Sequence, residues 1–427
     1  MKRAIMKALA MSTLLVFTAG AQVQAKETVV WWDFLGGGDG VRMKKLLEDF
    51  NAEHKDTIEV QATTLDWGVP FYTKVQTSAA VGEGPDMMTY HTSRIPLAVS
   101  QSTLAEITAD DMKAMGLSEA TFAAATWDAV HVDGKQYAVP FDTHPIVLYY
   151  NKDKLAKVGL IGDNGLPKDL NGIDNFNAAL KKIKDGGTKW GMSTFTAAGD
   201  FQFRTIYSLL GQQDGAMLTG DEWLAGDNKD KLVKALTVVS NWVKDGYVPA
   251  YTEYPAAIAL FTSGESAMHI NGVWEVPTFT DLATAGKLGF AWGAIELPVF
   301  FNHPSTYEDS HAFAIPNNSG KPATAEKHAA VLEVIKWMEA HSLFWATAGH
   351  IPANSAVTES AEYKAMQPQA TYAVLTANGI FDPKSKFAGV ASPMFTSAGN
   401  AFTAAVNGEE DPTVAVGQMK EELDQLK

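Results

Sequence analysis

An α/β fold of two lobes is predicted by three observations on the sequence. The stretch from Glu27 to Val60 reads as a strand, a helix and a second strand, a unit usually built into a parallel sheet. Strand-like and helix-like segments then alternate along the chain, the pattern of a sheet flanked by helices. Finally, the chain has 427 residues, and a single hydrophobic core stops growing at roughly 250–300 residues.

At the N-terminus Lys2, Arg3 and Lys7 precede the apolar run Ala8 to Ala19, and Val23-Gln24-Ala25 offers small residues for a cut. This layout predicts a secretory signal peptide over residues 1–25. Its apolar run is well short of the roughly 20 residues that span a bilayer. The mature chain is expected to begin at Lys26 and, with no Cys at or after the cut, to carry no lipid anchor and no membrane-inserted segment.

Thr28 to Trp32, rich in Val and Trp, predicts a buried strand. Trp31 and Trp32 alternate across it, so at most one faces any cleft. Gly36, Gly37, Gly38 and Gly40 follow, and then Met43, Leu46, Leu47 and Phe50 fall on one helical face. The Gly-rich loop thus sits at the carboxyl end of a strand, where open α/β sheets bind ligands. It lacks the Gly-Lys-Ser/Thr ending of a phosphate loop, and Asp39 is expected to cap the first turn.

Further on, a helix is expected from about Tyr72 to Ala80 and a strand over Met87 to Tyr90. Leu104 to Ala125 reads as two short helices. A hairpin is expected over Trp127 to Ala138, with Asp133-Gly134 at its turn. Ile146 to Asn151 reads as a strong buried strand. Helices on Phe176–Ile183 and Leu232–Val243 follow, then a strand over Ser266 to Asn271 and another ending at Glu296. Ser310 to Pro316 is read as a short strand, and a helix beginning near Pro322 carries Val331, Val334, Ile335 and Met338.

Removing Lys2, Arg3 and Lys7 leaves 31 basic against 49 acidic residues, a formal charge of −18. That excludes general affinity for nucleic acid or anionic lipid surfaces. With 0 Cys, disulfides contribute nothing. The 10 His are scattered, without a His-Glu-x-x-His pattern or useful helical spacing; no metal and no cofactor are expected.

The chain resembles the extracellular solute-binding proteins, family 1, of ABC transporters. The resemblance rests on Phe50-Asn51, Gly82-Glu83-Gly84-Pro85-Asp86, Val139-Pro140 and Leu148-Tyr149-Tyr150-Asn151-Lys152. It continues through Phe261 to Met268, Ile270-Asn271-Gly272-Val273-Trp274, Ser310-His311 and His350-Ile351-Pro352-Ala353-Asn354. It implies a two-lobed periplasmic binding protein fold of type II-like form, with three segments crossing between the lobes. One lobe would hold residues 26–139 plus 312–349 and the other 143–309 plus 354–427, with hinges near 140–142, 310–311 and 350–353. The implied role is capture of a carbohydrate (mono- or oligosaccharide, polyol or sugar derivative) by a monomer in the periplasm, for delivery to the permease of an ABC importer.

A sugar offers hydroxyls to planar polar side chains and C–H faces to aromatic rings. On the resemblance, Trp274 is the expected stacking platform, and His91 and Arg94 follow a strand where polar contacts belong. Asp142 and His144 stand at the first crossing, and Asp309 and His311 flank the second. Phe34, Leu35 and Gly37 are expected as one cleft wall, with Trp67 across from them. Phe195, Phe201 and Phe203 are weaker candidates. The rival reading is a secreted carbohydrate-active enzyme, a glycosidase or lyase. That needs two carboxylates across one bond, and no motif singles out such a pair; no Gly-x-Ser-x-Gly elbow appears. A chemoreceptor co-ligand or exported scaffold would use the same closed form.

Overall fold

A computed structural model of the chain describes residues 26–426, apart from the side chains of Asp200 and Phe201. The signal peptide expected at 1–25 lies outside the described residues. In chain order the strands that matter are β1 (Glu27–Asp33), β2 (Ile58–Thr64), β3 (Met87–His91), β4 (Val139–Pro140), β5 (Asp142–Thr143), β6 (Ile146–Asn151), β7 (Trp190–Ser193), β8 (Ser266–Gly272), β9 (Trp292–Glu296), β10 (His311–Ala314) and β11 (Ile351–Pro352). The helices used below are α1 (Gly37–Glu53), α2 (Val69–Val81), α3 (Gly199–Gly211) and α4 (Ala325–Ala340).

These strands build two sheets. The first has the order β2-β1-β3-β10-β4, and the second β9-β6-β8-β7. In the first, β1 runs parallel to β2 and β3, while β10 is antiparallel to β3 and β4. In the second, β6 lies antiparallel to β8 and β9, and β8 parallel to β7. Each sheet carries its own core. Met43, Leu46 and Phe50 of α1 pack with Val29 and Trp31 of β1 in one. Ile146, Leu148 and Tyr150 of β6 belong to another, and the alternate residues Val147 and Tyr149 to a third on the opposite face. β6 is apolar from Ile146 to Tyr150 because helices cover both faces of its sheet.

The elements mostly fall where the pattern places them. Asp133 and Gly134 both take positive φ, 51° and 76°, as the tight hairpin between His131–Val132 and Lys135–Gln136 requires. The hairpin is shorter than expected, because Trp127 belongs to the preceding helix. Asp39 does not cap α1, whose N-cap is Gly36. Its carboxylate instead lies 3.0 Å from Nε2 of His350.

The chain passes between the sheets at segments that bond to one another. β5 pairs antiparallel with β11. The amide of Phe141 donates to the carbonyl of His311, and that of His144 to Asp309, at 2.8 and 2.9 Å. The segment 141–144 is therefore the middle of a narrow strap. Among the described residues no helix is long and apolar enough to cross a membrane.

Buried acids near this strap give the fold a pH dependence. Asp382 accepts from the Tyr307 hydroxyl at 3.1 Å. Burial, with Asp309 nearby, pushes its carboxyl up to about 7. A raised carboxyl favours the folded state most below its unfolded pKa near 3.9, and that contribution is lost as pH climbs to about 7. The difference is on the order of 4 kcal/mol. Urea titrations should show Asp382→Asn gaining on the parent between pH 4 and 7; a pH-independent difference would count against it. Glu308, also raised by burial, keeps part of the slope in the variant.

Candidate functional site

The strap is also the floor of a cavity of about 470 Å³, whose support is Asp142. This carboxylate is 0% exposed. It accepts from the His311 amide at 2.9 Å, the His311 Nδ1 at 2.9 Å and the Trp345 indole at 2.7 Å. His144 Nδ1 stands 3.2 Å from the oxygen that takes the His311 amide. Burial alone would raise its pKa, but His311 and His350 together with these hydrogen bonds hold it well below the carboxylate range. His350 lies between Asp142 and Asp39; burial opposes its charge, and the two carboxylates outweigh burial and raise its pKa. His144 goes the other way, lowered to about 4 by burial and then by His311. The floor thus sets differently tuned imidazoles side by side.

One wall follows β1. Phe34, Leu35 and the opening glycines of α1 line the cavity, and the ring of Phe34 stacks on His91 with centroids 4.5 Å apart. His91 Nδ1 meets the Tyr72 hydroxyl at 2.6 Å. Burial, then the neighbouring His311 and His144, hold His91 well below its ordinary pKa, hence neutral. Trp67, 41% exposed, closes this side.

The other wall follows β8. Trp274 lies half-buried on the cavity, its indole donating to Tyr254 at 2.7 Å. Tyr254 in turn donates to Glu275, whose carboxyl is raised mainly by burial. The glycine of Asn271-Gly272-Val273-Trp274 has a steric cause: a Cβ there would fall 2.1 Å from the Trp274 ring. Arg204, from α3, holds its guanidinium 5.7 Å from the Trp67 ring and 5.8 Å from that of Trp274. The walls touch at the rim. Arg42 grips Asp281 through two bonds of 2.8 and 2.7 Å, and Gly38 lies so close to Pro277 that a Cβ would meet it at 2.5 Å.

Of the residues singled out by sequence, Trp274, His91, His144, Trp67, Phe34, Leu35, Gly37 and His311 line this cavity, as does Phe195. Three of them stand elsewhere. Asp142 lies behind the floor. Asp309 is consumed by the Thr92 and Ser93 hydroxyls and by the Ser93 and Ser310 amides. Arg94 points away, to the carbonyls of Val390 and Ala391. Phe203 is core, at 0% exposure, and the Phe201 side chain lies outside the described residues. Neither Trp31 nor Trp32 lines the cavity: Trp31 bonds Thr89, and Trp32 lies under Lys74. The sequence reading missed Arg204, Tyr254, Glu275 and Thr278, together with Asp39 and His350. His350 belongs to the motif His350-Ile351-Pro352-Ala353-Asn354 and Glu275 adjoins Trp274, so each carries a signal in the sequence. Arg204 had none.

Two α/β lobes meeting over an aromatic cavity define the class: a two-lobed ligand-binding protein. The chain belongs to the bacterial extracellular solute-binding protein family, whose pattern it matches over residues 45–370. It is 27% identical over 301 residues to the galactooligosaccharide-binding protein of Bacillus subtilis, across 67% of this chain and 63% of that one. It is 25% identical over 320 residues to the sn-glycerol-3-phosphate-binding periplasmic protein UgpB of Rhizobium meliloti, across 70% and 68%. The chain thus spans about 63% of the length of the first of these relatives. Its fold is similar to the GacH receptor of Streptomyces glaucescens, with TM-score 0.79 at 17% identity over 94% of this chain and 99% of that one. It is also similar to a Listeria monocytogenes ABC substrate-binding protein solved with cycloalternan, with TM-score 0.77 at 21% identity over 94% and 99%.

Proposed function

We propose that the protein captures a carbohydrate between its lobes and delivers it to the permease of an ABC importer. The observation that carries this reading is the pairing of Trp67 and Trp274 on one cavity with a polar floor of imidazoles. Indole rings pack on sugar C–H faces, while His, Glu and Arg side chains take the hydroxyls. Family membership and the sugar-binding relatives support it. The protein acts in the periplasm after loss of residues 1–25, as a monomer. It is a binder and not an enzyme.

On this reading the lobes comprise 26–139 plus 312–349 and 143–309 plus 354–427, hinged near 140–142, 310–311 and 350–353. The composition of the two sheets supports the partition, though Val390 packs with the first lobe's core. The ligand contacts are Trp274, Trp67, Phe34, Leu35, Gly37, His91, His144 and His311, joined by Arg204 and Glu275.

A thermal-shift screen over saccharides, polyols, sugar acids and amino acids tests the ligand class. A sugar at a hundredfold its Kd stabilises the fold by about 2.7 kcal/mol; stabilisation by amino acids alone, or release of products from an oligosaccharide, overturns the reading. Closure is a separate expectation. Because only contacts made to both lobes shift a hinge equilibrium, small-angle scattering should give a smaller radius of gyration with the cognate sugar. An identical profile at saturation would refute closure.

A further inference from the structure

Four residues from the crossing segments converge on one point beneath the cavity. Asp142 and His144 come from the first crossing, His311 from the second and His350 from the third. Each offers one donor atom, all four atoms lie within 4.8 Å of one another, and all four residues are buried. A hydrogen-bonded network is the simpler account, and it falls one bond short. The Nδ1 of His350, in a residue 0% exposed, has no hydrogen-bond partner. It stands 3.4 Å from the Asp142 carboxylate without bonding to it.

We propose that the crossing holds one divalent transition-metal ion of the zinc type, bound by His144, His311, His350 and Asp142. The donor set is the first reason. Three imidazoles and one carboxylate suit zinc and its neighbours, whereas calcium and magnesium take oxygen ligands. Spacing is the second. Zinc bonds to imidazole and carboxylate are about 2.0–2.2 Å, so tetrahedral donors sit roughly 3.4 Å apart. One Asp142 oxygen stands 2.9 and 3.4 Å from the Nδ1 atoms of His311 and His350, and the other stands 3.2 Å from Nδ1 of His144. The surroundings are the third. Metal-bound His usually passes its other ring nitrogen to a carboxylate, and His350 Nε2 lies 3.0 Å from Asp39. Trp345 meanwhile fixes Asp142 through its indole.

An ion here ties together all three segments that pass between the lobes. It would strengthen the strap that the carbonyl–amide bonds already form, whatever solute fills the cavity.

The test uses the untagged mature protein, stripped with a chelator and titrated with cobalt(II) and then zinc. Expected are one cobalt per chain with the visible absorption of a tetrahedral ion, its displacement by zinc, and retention of zinc through gel filtration. X-ray absorption at the zinc edge should fit three imidazole nitrogens and a carboxylate oxygen. His311→Ala should lose the cobalt band, and Asp39→Asn should weaken zinc by about 10–100-fold, with melts confirming that each variant folds. Absence of stoichiometric cobalt or zinc, or an absorption-edge fit with fewer than three imidazoles, overturns the proposal without recourse to a variant. So does a band that survives His311→Ala, which would put the ion at another histidine such as the surface residue His303.

Discussion

Replacing Trp274 by Ala is expected to abolish solute binding while leaving the fold close to its parent. The indole is half-buried, faces the cavity and rests over Gly272. Stacking it on a sugar face buries apolar area on both partners and adds on the order of 0.5–1.5 kcal/mol beyond that area. With the area itself, truncation costs about 2–4 kcal/mol of affinity, in the range of binding hot spots. The same change releases only one hydrogen bond, that to Tyr254. A fully buried Trp would lose roughly 3–5 kcal/mol of folding stability instead. Titration calorimetry and melting on the same variant separate the two roles. A collapsed melting temperature, or binding within a few-fold of the parent, would mean that the ring supports the core.

The fold was legible because its signals are local and redundant. Met43, Leu46 and Phe50 give a helix period, and the unbroken run Ile146–Asn151 gives a strand buried on both faces. The cavity wall was half legible for a related reason. Phe34, Leu35, His91 and Trp274 sit just past strand ends, where α/β sheets present ligands. What the sequence could not show is convergence. Arg204 lies in the middle of α3, and only the tertiary fold brings its guanidinium to the rings of Trp67 and Trp274. Asp39 looked like a cap, since Asp commonly caps helices, and only its distance to His350 says otherwise. The histidines look scattered in the sequence because spacing along one element carries no trace of segments that meet in space. Residues 144, 311 and 350 meet only where three distant segments cross. Arg94 shows the converse error: its position after β3 suited a ligand contact, but the fold folds residues 390–391 back across it.

The sequence alone reads Asp142 as a ligand contact, and its surroundings make it the support of the strap. Replacement by Ala is therefore expected to act on stability. It would strand the His311 amide and the Trp345 indole without acceptors, each a buried donor costing about 1–3 kcal/mol when unsatisfied. It would also remove one of two carboxylates beside His350. Breaking one side of a buried charge network typically costs about 3–5 kcal/mol, and that is the loss expected for Asp142→Ala by urea titration with a chelator present. Asp142→Asn keeps an acceptor oxygen of nearly the same shape, and should recover part of this loss. A loss within about 1 kcal/mol for the Ala variant would show that the strap does not depend on Asp142. The Asn variant then separates support from contact. Because Asp142 lies behind His144 and His311 and not on the cavity surface, the folded Asn protein should hold its solute within a few-fold of the parent. Loss of affinity at unchanged stability would mean that the carboxylate reaches the ligand when the lobes close, as the sequence alone suggested.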